Sequence, residues 1–128
     1  MTNSARGASV LAIEFGAQCC RAAVFHNAQI DVLFLDDETE CISNTVKFSN
    51  KTIDVGFVEN SVPRKLPQNT IYDWRRFLGR CVPSAEWRQM AYNLLEQESE
   101  VAVNVHFNDT THTVALVEVA AILFYEIK

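Results

Sequence analysis

The chain has 128 residues, of which 48% are hydrophobic, and its formal net charge at pH 7 is −5. This length and composition predict one folded domain, or part of a larger one, and exclude a disordered chain. The negative charge gives no basic surface for nucleic acid, and no apolar stretch of the sequence is long enough to span a membrane. Because residues 1–7 lack the basic-then-apolar order of a signal peptide, we expect the cytosol or the nucleus as the location.

Four cysteines, at positions 19, 20, 41 and 81, form no CxxC pair. Free cysteine is among the most buried residue types, so we predict buried or half-buried free thiols. A disulfide framework is not expected in a chain with this much apolar sequence and no secretion signal.

The first forty residues predict an antiparallel meander of three strands. Apolar runs at 9–15 and 19–25 flank the turn Gly16-Ala17-Gln18, and an alternating run at 30–35 follows a second turn. An acidic segment at 36–40 reads as a solvated loop. Two further strands are predicted at 45–48 and 52–55.

The rest of the chain predicts helices and one more hairpin. Helices are expected at 57–61, from Asn69 or Thr70 to about 78, at 85–97, and from Leu116 or Val117 to 128; strands are expected at 101–107 and 112–115. Residues 87, 90, 91, 94 and 95 recur at helical spacing, so they are expected to form core. The last helix is apolar on most sides, which predicts cover on several faces. We interpret this as a truncated product or a chain that needs a partner surface.

Two segments resemble one family, the 70-kDa heat-shock chaperones. Ile13-Glu14-Phe15-Gly16 and the strand after it resemble the family's first phosphate hairpin, Ile-Asp-Leu-Gly-Thr-Thr. Residues 67–80, PQNTIYDWRRFLGR, resemble the family's segment Asn-Pro-x-Asn-Thr-Val-Phe-Asp-Ala-Lys-Arg-Leu-Ile-Gly-Arg, with Asn-Thr, Asp, Arg and Gly-Arg in register. Val46, Phe48 and Gly56 fit the same alignment, and Val117-Glu118-Val119 resembles the family's Glu-Glu-Val helix.

The resemblance implies an α/β (mixed α+β) fold, the N-terminal portion of lobe I of an actin-like, ribonuclease H-like ATPase with a mixed sheet and helices. It divides the chain into a flexible N-terminus (1–8) and a partial nucleotide-binding unit (9–128). Within that unit, 9–40 would form the phosphate-hairpin strands, 41–115 a small inserted subdomain and 116–128 the crossover helix. The second phosphate loop, the adenosine site, lobe II and the peptide-binding domain would lie outside the matched part.

The resemblance also names candidate site residues. Glu14 stands where the family has the Asp that holds hydrated Mg²⁺, and Gly16, Ala17, Gln18 and Cys19 occupy the phosphate-binding turn. Arg75 replaces the family's catalytic Lys. One extra methylene at Glu14, the lost hydroxyls at the turn and a planar guanidinium at Arg75 all predict a degraded nucleotide grip. Alternatively, Glu14 ends a strand at the surface and Arg75 lies on a solvated helix face, paired with Asp73 or a nearby Glu.

The sequence therefore predicts a divergent heat-shock 70-kDa-like ATPase-domain fragment, with little or no ATPase of its own. By resemblance, the parent family implies ATP or ADP and Mg²⁺ as cofactors, a role in protein folding and the stress response, and co-chaperones or unfolded proteins as partners. The alternative is a non-enzymatic interaction module that binds a chaperone, a co-chaperone or itself through the apolar C-terminal helix. Neither nucleic acid nor a membrane is expected as a partner.

Overall fold

The computed structural model describes residues 8–33, 40–56, 67–80 and 84–127. The strands in these residues are β1 (Val10–Phe15), β2 (Cys19–His26), β3 (Gln29–Val32), β4 (Cys41–Phe48), β5 (Ile53–Gly56), β6 (Thr70–Ile71), β7 (Asn93–Gln97), β8 (Glu100–Phe107) and β9 (Thr110–Ala115). The α-helices are α1 (Ser84–Trp87) and α2 (Leu116–Glu126), and two 3-10 helices span Pro67–Asn69 and Trp74–Phe77. None of the helices in these ranges is long and apolar enough to cross a bilayer.

The described strands form two antiparallel sheets. In the first sheet β2 pairs with β1, β3 and β4, and β4 also pairs with β5 and β6. The second sheet has the order β7-β8-β9. The predicted meander of the first three strands is confirmed. Since β4 pairs with β2, one sheet runs across the boundary predicted at residues 40 and 41.

Helix α2 packs between the two sheets and closes the core. Its residues Leu116, Val119, Ala120 and Leu123 recur at helical spacing and are buried, facing β4, β5, β8 and β9. The Glu118 carboxylate accepts a hydrogen bond from the Ala115 amide at 2.8 Å, which satisfies one free donor at the helix start. The predicted last helix is thus confirmed, with one face in the core and Val117, Phe124 and Tyr125 exposed on the other.

Three hairpins turn through pairs of residues with positive φ. The pairs are Asn27–Ala28, Glu98–Ser99 and Asn108–Asp109, with φ between 51° and 67°. Two consecutive left-handed residues make the two-residue turn that matches the right-handed twist of paired strands. These turns join β2 to β3, β7 to β8 and β8 to β9.

Two predicted helices are wrong. Residues 69–78 form β6 and a 3-10 helix, because Asp73 between them has a left-handed backbone with φ 51° that an α-helix does not allow. Residues 85–97 form only the last part of the four-residue α1 and then β7, whose backbone groups pair with β8. Leu94 and Leu95 are therefore half-buried strand residues. The predicted helix at 57–61, the acidic loop at 36–39 and most of the flexible N-terminus lie outside the described residues.

Candidate functional site: the β1–β2 hairpin

The turn between β1 and β2 is a tight loop closed by its own backbone. The Gly16 amide donates to the Cys19 carbonyl at 3.0 Å. A Cβ atom at residue 16 would lie 2.8 Å from that same carbonyl oxygen, so only glycine fits without a shift of the backbone. The glycine of the predicted phosphate turn is thus required by the hairpin itself.

Asn44, which the sequence reasoning did not select, holds this turn against β4. It is 2% exposed, its Nδ2 donates to the Gly16 carbonyl at 2.7 Å, and its backbone amide donates to the Gln18 carbonyl at 2.8 Å. Its Oδ1 accepts from the Cys20 thiol at 3.0 Å. The signal was present in the sequence: Asn44 is the polar member of an alternating buried series, Ile42, Asn44, Val46 and Phe48.

Trp74 contacts Asn44 from the packed face of the first sheet. It is fully buried, its indole N–H donates to the Asn44 carbonyl at 2.5 Å, and its ring lies 5.7 Å from that of Phe15. Trp74 is thus a core residue. All four polar groups of Asn44 are therefore engaged, two with the turn, one with β2 and one with Trp74.

The turn exposes two unused hydrogen-bond donors. Ala17 and Gln18 are exposed, and neither backbone amide donates to another described residue. Neighbouring free amides of this kind can bind an anion such as phosphate. Gly16 cannot contribute, because its amide is occupied by Cys19, and Ala17 offers no hydroxyl.

Glu14 lies on the outer face of the hairpin and is paired there. It stands opposite Arg21 in the strand register, and its Oε2 accepts from the Arg21 guanidinium at 3.3 Å. Both side chains are more than half exposed. A guanidinium at this distance competes directly with any cation for the Glu14 carboxylate.

Arg75 lies on the other face. Its guanidinium carbon is 5.4 Å from the centre of the Phe15 ring, a cation–π arrangement. Side chains of adjacent strand residues point to opposite faces of a sheet. Because Arg75 lies over Phe15, strand β1 separates it from the carboxylate of Glu14. Arg75 also does not pair with Asp73, whose carboxylate contacts Arg76 Nε at 3.0 Å instead.

Burial governs the two adjacent thiols in the hairpin. It raises the pKa of the fully buried Cys20 from its ordinary value of 9.0 to about 11, with Cys19 adding to the rise and Arg75 opposing it. The pKa of the half-buried Cys19 is also raised, mainly by burial and next by the nearby thiol of Cys41. The raised pKa lowers the ionised fraction of both thiols at neutral pH, so each reacts more slowly than an activated thiolate.

The residues present fit phosphate better than Mg²⁺. The Ala17 and Gln18 amides form a small anion site, whereas Glu14 is held by Arg21. Among the described ranges, no three His, Cys, Asp or Glu side chains cluster closely enough to hold a metal ion.

A scan against protein-family profiles matches residues 10–128 to the family described as "Hsp70 protein". Among curated proteins, the chain is 30% identical over 107 residues to heat shock 70 kDa protein 13 of Homo sapiens, and equally so to that of Pongo abelii. It is 29% identical to that of Rattus norvegicus. Each of these matches covers 79% of this chain and 23% of the relative, so the chain spans about a quarter of their length.

The match reaches from the first residue of β1 through the last helix, so it includes the hairpin, Asn44, Trp74 and α2. The α/β architecture predicted for the N-terminal part of an actin-like ATPase lobe is confirmed by this match together with the packed sheets and helix. The chain belongs to the Hsp70 family, whose members in general are ATP-binding chaperones, and it is a divergent member.

Proposed function

We propose that this chain forms the first part of lobe I in a divergent Hsp70-type ATPase domain and that its phosphate hairpin serves as a scaffold. The hairpin binds nucleotide weakly or not at all, and this part of the chain does not hydrolyse ATP. Protein folding, a role in stress, a location in the cytosol or nucleus, and co-chaperones or unfolded proteins as partners belong to the same proposal for the whole protein.

The separation of Glu14 from Arg75 is the observation that carries the proposal. Phosphoryl transfer depends on cationic groups and a metal placed together around the phosphates. Here the carboxylate is on the outer face with Arg21, and the arginine lies over Phe15 on the packed face. The two groups that resemblance assigns to this chemistry do not meet.

The scaffold role rests on the opposite pattern around Asn44. Every polar group that fixes the turn has a partner, and the Trp74 ring beneath it is fully buried. These contacts position the turn whether or not a ligand is present. If nucleotide binds, the Ala17 and Gln18 amides would hold a phosphate oxygen, and bound nucleotide would supply the transferable phosphoryl group.

An interaction module built on α2 has less support. The main apolar stripe of the helix is buried in the chain's own core, and the side chains left outside are Val117, Phe124 and Tyr125. Self-association through this helix stays a prediction.

Calorimetric titration with Mg-ATP and Mg-ADP tests the proposal. We expect binding weaker than a dissociation constant of about 1 mM, equivalent to about −4 kcal/mol. Micromolar binding would contradict it. A double variant, Ala17→Thr with Gln18→Thr, restores the family's hydroxyls at the turn; tighter binding by this variant would identify the missing side chains as a cause, whereas unchanged binding would place the cause outside the turn.

A further inference from the structure

Two cysteines from adjacent strands meet on the outer face of the first sheet. In the pairing of β2 with β4, Arg21 stands opposite Cys41 and Cys19 stands opposite Ser43. Cys19 and Cys41 are therefore diagonal neighbours, and strand alternation places both on the same face. Both are half-buried, and their side chains hydrogen-bond to each other.

We propose that Cys19 and Cys41 are a reversible modification site, a pair of thiols that a hydroperoxide oxidises to a disulfide linking β2 to β4. Cys19 directly follows the turn at residues 16–18, and Cys41 is the first residue of β4. The disulfide would covalently join the hairpin to the strand that carries Asn44.

The oxidation balances with one hydroperoxide. The thiolate of one cysteine attacks the peroxide and breaks the O–O bond, which gives a sulfenic acid and, with hydrogen peroxide, one water. The second thiolate attacks the sulfenic sulfur, the S–S bond forms, and hydroxide leaves and takes up a proton as a second water. Two thiols lose two electrons in total, and the peroxide gains them.

The diagonal position makes this bond reversible. Diagonal partners in antiparallel strands are about 7–8 Å apart, while a relaxed disulfide needs Cα atoms about 4.4–6.8 Å apart. The bond therefore requires the strands to move slightly and stays easy to reduce, as in regulatory rather than structural disulfides. Such transient disulfides are the kind that reducing compartments tolerate.

Cys20 is the matched internal control, because it differs from Cys19 by one position and faces the other way. It is fully buried, and its thiol donates to Asn44 Oδ1. A serine at this position keeps a donor for Asn44. Substitution of Cys20 by serine should thus leave the oxidised pair unchanged.

Peptide mapping of the full chain tests the proposal. The chain is treated with hydrogen peroxide, remaining thiols are alkylated, and the protein is digested with trypsin without reductant. Cleavage after Arg21 and Lys47 places Cys19 and Cys41 in separate peptides, 7–21 and 22–47, and Cys81 in a third, 81–88. We expect a linked pair of peptides 7–21 and 22–47 that dithiothreitol separates.

Three variants assign the bond. Cys19→Ser and Cys41→Ser should abolish the linked pair, and Cys20→Ser should retain it. A linked pair that survives Cys19→Ser, a link to peptide 81–88, or oxidation to sulfinic acid without any link would overturn the proposal. Circular dichroism identifies any variant that fails to fold. If a variant does not fold, the peptide map of the oxidised parent chain still shows whether the linked pair forms. Reaction of the reduced parent with a short dithiol-bridging reagent must give the same two peptides.

Discussion

The two faces of the β1–β2 hairpin differ in what their side chains do. The packed face presents Phe15, Cys20 and Ala22 to Trp74 and the core, and its polar contacts are buried and satisfied. The outer face presents Glu14 and Arg21, which are exposed and bound to each other. The packed face carries the stability of the hairpin, and the outer face carries the position that chemistry would use. A divergent chain can therefore lose the chemistry of the outer face without losing the stability that the packed face provides.

The largest effect on this contrast is expected from Asn44→Ala. The variant leaves the partly buried Gly16 carbonyl without its side-chain donor and removes the acceptor of the Cys20 thiol. We expect a loss of about 3 kcal/mol in the free energy of unfolding, measured by urea denaturation. The matched control is Asn104→Ala in β8, where the lost partner is the Thr113 hydroxyl near the surface, and a loss of about 1 kcal/mol or less is expected. Equal losses in the two variants would remove the special role of Asn44.

A smaller effect is expected at the turn itself. Gly16→Ala forces a Cβ against the Cys19 carbonyl, so we expect about 2 kcal/mol of destabilisation. Gly79→Ala is the control: its Cβ meets no atom within 4 Å, and only the positive φ of 69° is strained, at about 1 kcal/mol. Thermal unfolding of both variants checks the order. If Gly79→Ala is the more destabilising variant, the approach of a Cβ to the Cys19 carbonyl is not the reason that residue 16 must be glycine.

Alkaline pH should reveal the burial of Cys20. The thiol ionises near pH 9.0 in the unfolded chain and near 11 in the folded chain. Its contribution to stability is thus fully present below pH 9 and is lost as the pH rises through about 11. In Cys20→Ala this part of the decline disappears, so unfolding free energies of parent and variant should converge between pH 9 and 11. If the unfolding free energies of the parent and Cys20→Ala fall in parallel with pH, the Cys20 thiol is not shielded from solvent as the structure indicates.

The smallest effect belongs to the outer face. Glu14→Gln removes an exposed ion pair that salt screens, so the urea midpoint should stay within experimental error of the parent. Nucleotide binding should be unchanged as well. A clear loss of binding in this variant would show that Glu14 leaves Arg21 to act on a ligand, and the contrast between the faces would fail.

Periodicity and resemblance together predicted much of the hairpin. Apolar runs separated by a glycine turn gave the correct strands, and the similarity at residues 67–80 gave the family. Asn44 was missed, since a single polar residue within an apolar strand is visible only as an exception to the alternation. Its partners lie 24 to 30 positions away in either direction and emerge only when β2, β4 and Trp74 are packed together.

The error at residues 85–97 has a different physical origin. Trp87, Met90, Leu94 and Leu95 fit a helical period, but Glu98 and Ser99 adopt positive φ and turn the chain into a hairpin. Neither residue is a typical left-handed former such as glycine or asparagine, so local sequence carries no warning. Pairing of β7 with β8 overrides the local preference for helix.

The engagement of Asn44 also has a mechanical consequence. Because the side chain and the backbone of Asn44 join the turn, β2 and the Trp74 indole, none of these three can move without breaking a hydrogen bond to Asn44. We therefore expect local opening here to be cooperative, with the amides around residue 44 exchanging with solvent as one unit rather than by fraying at the tip of the hairpin.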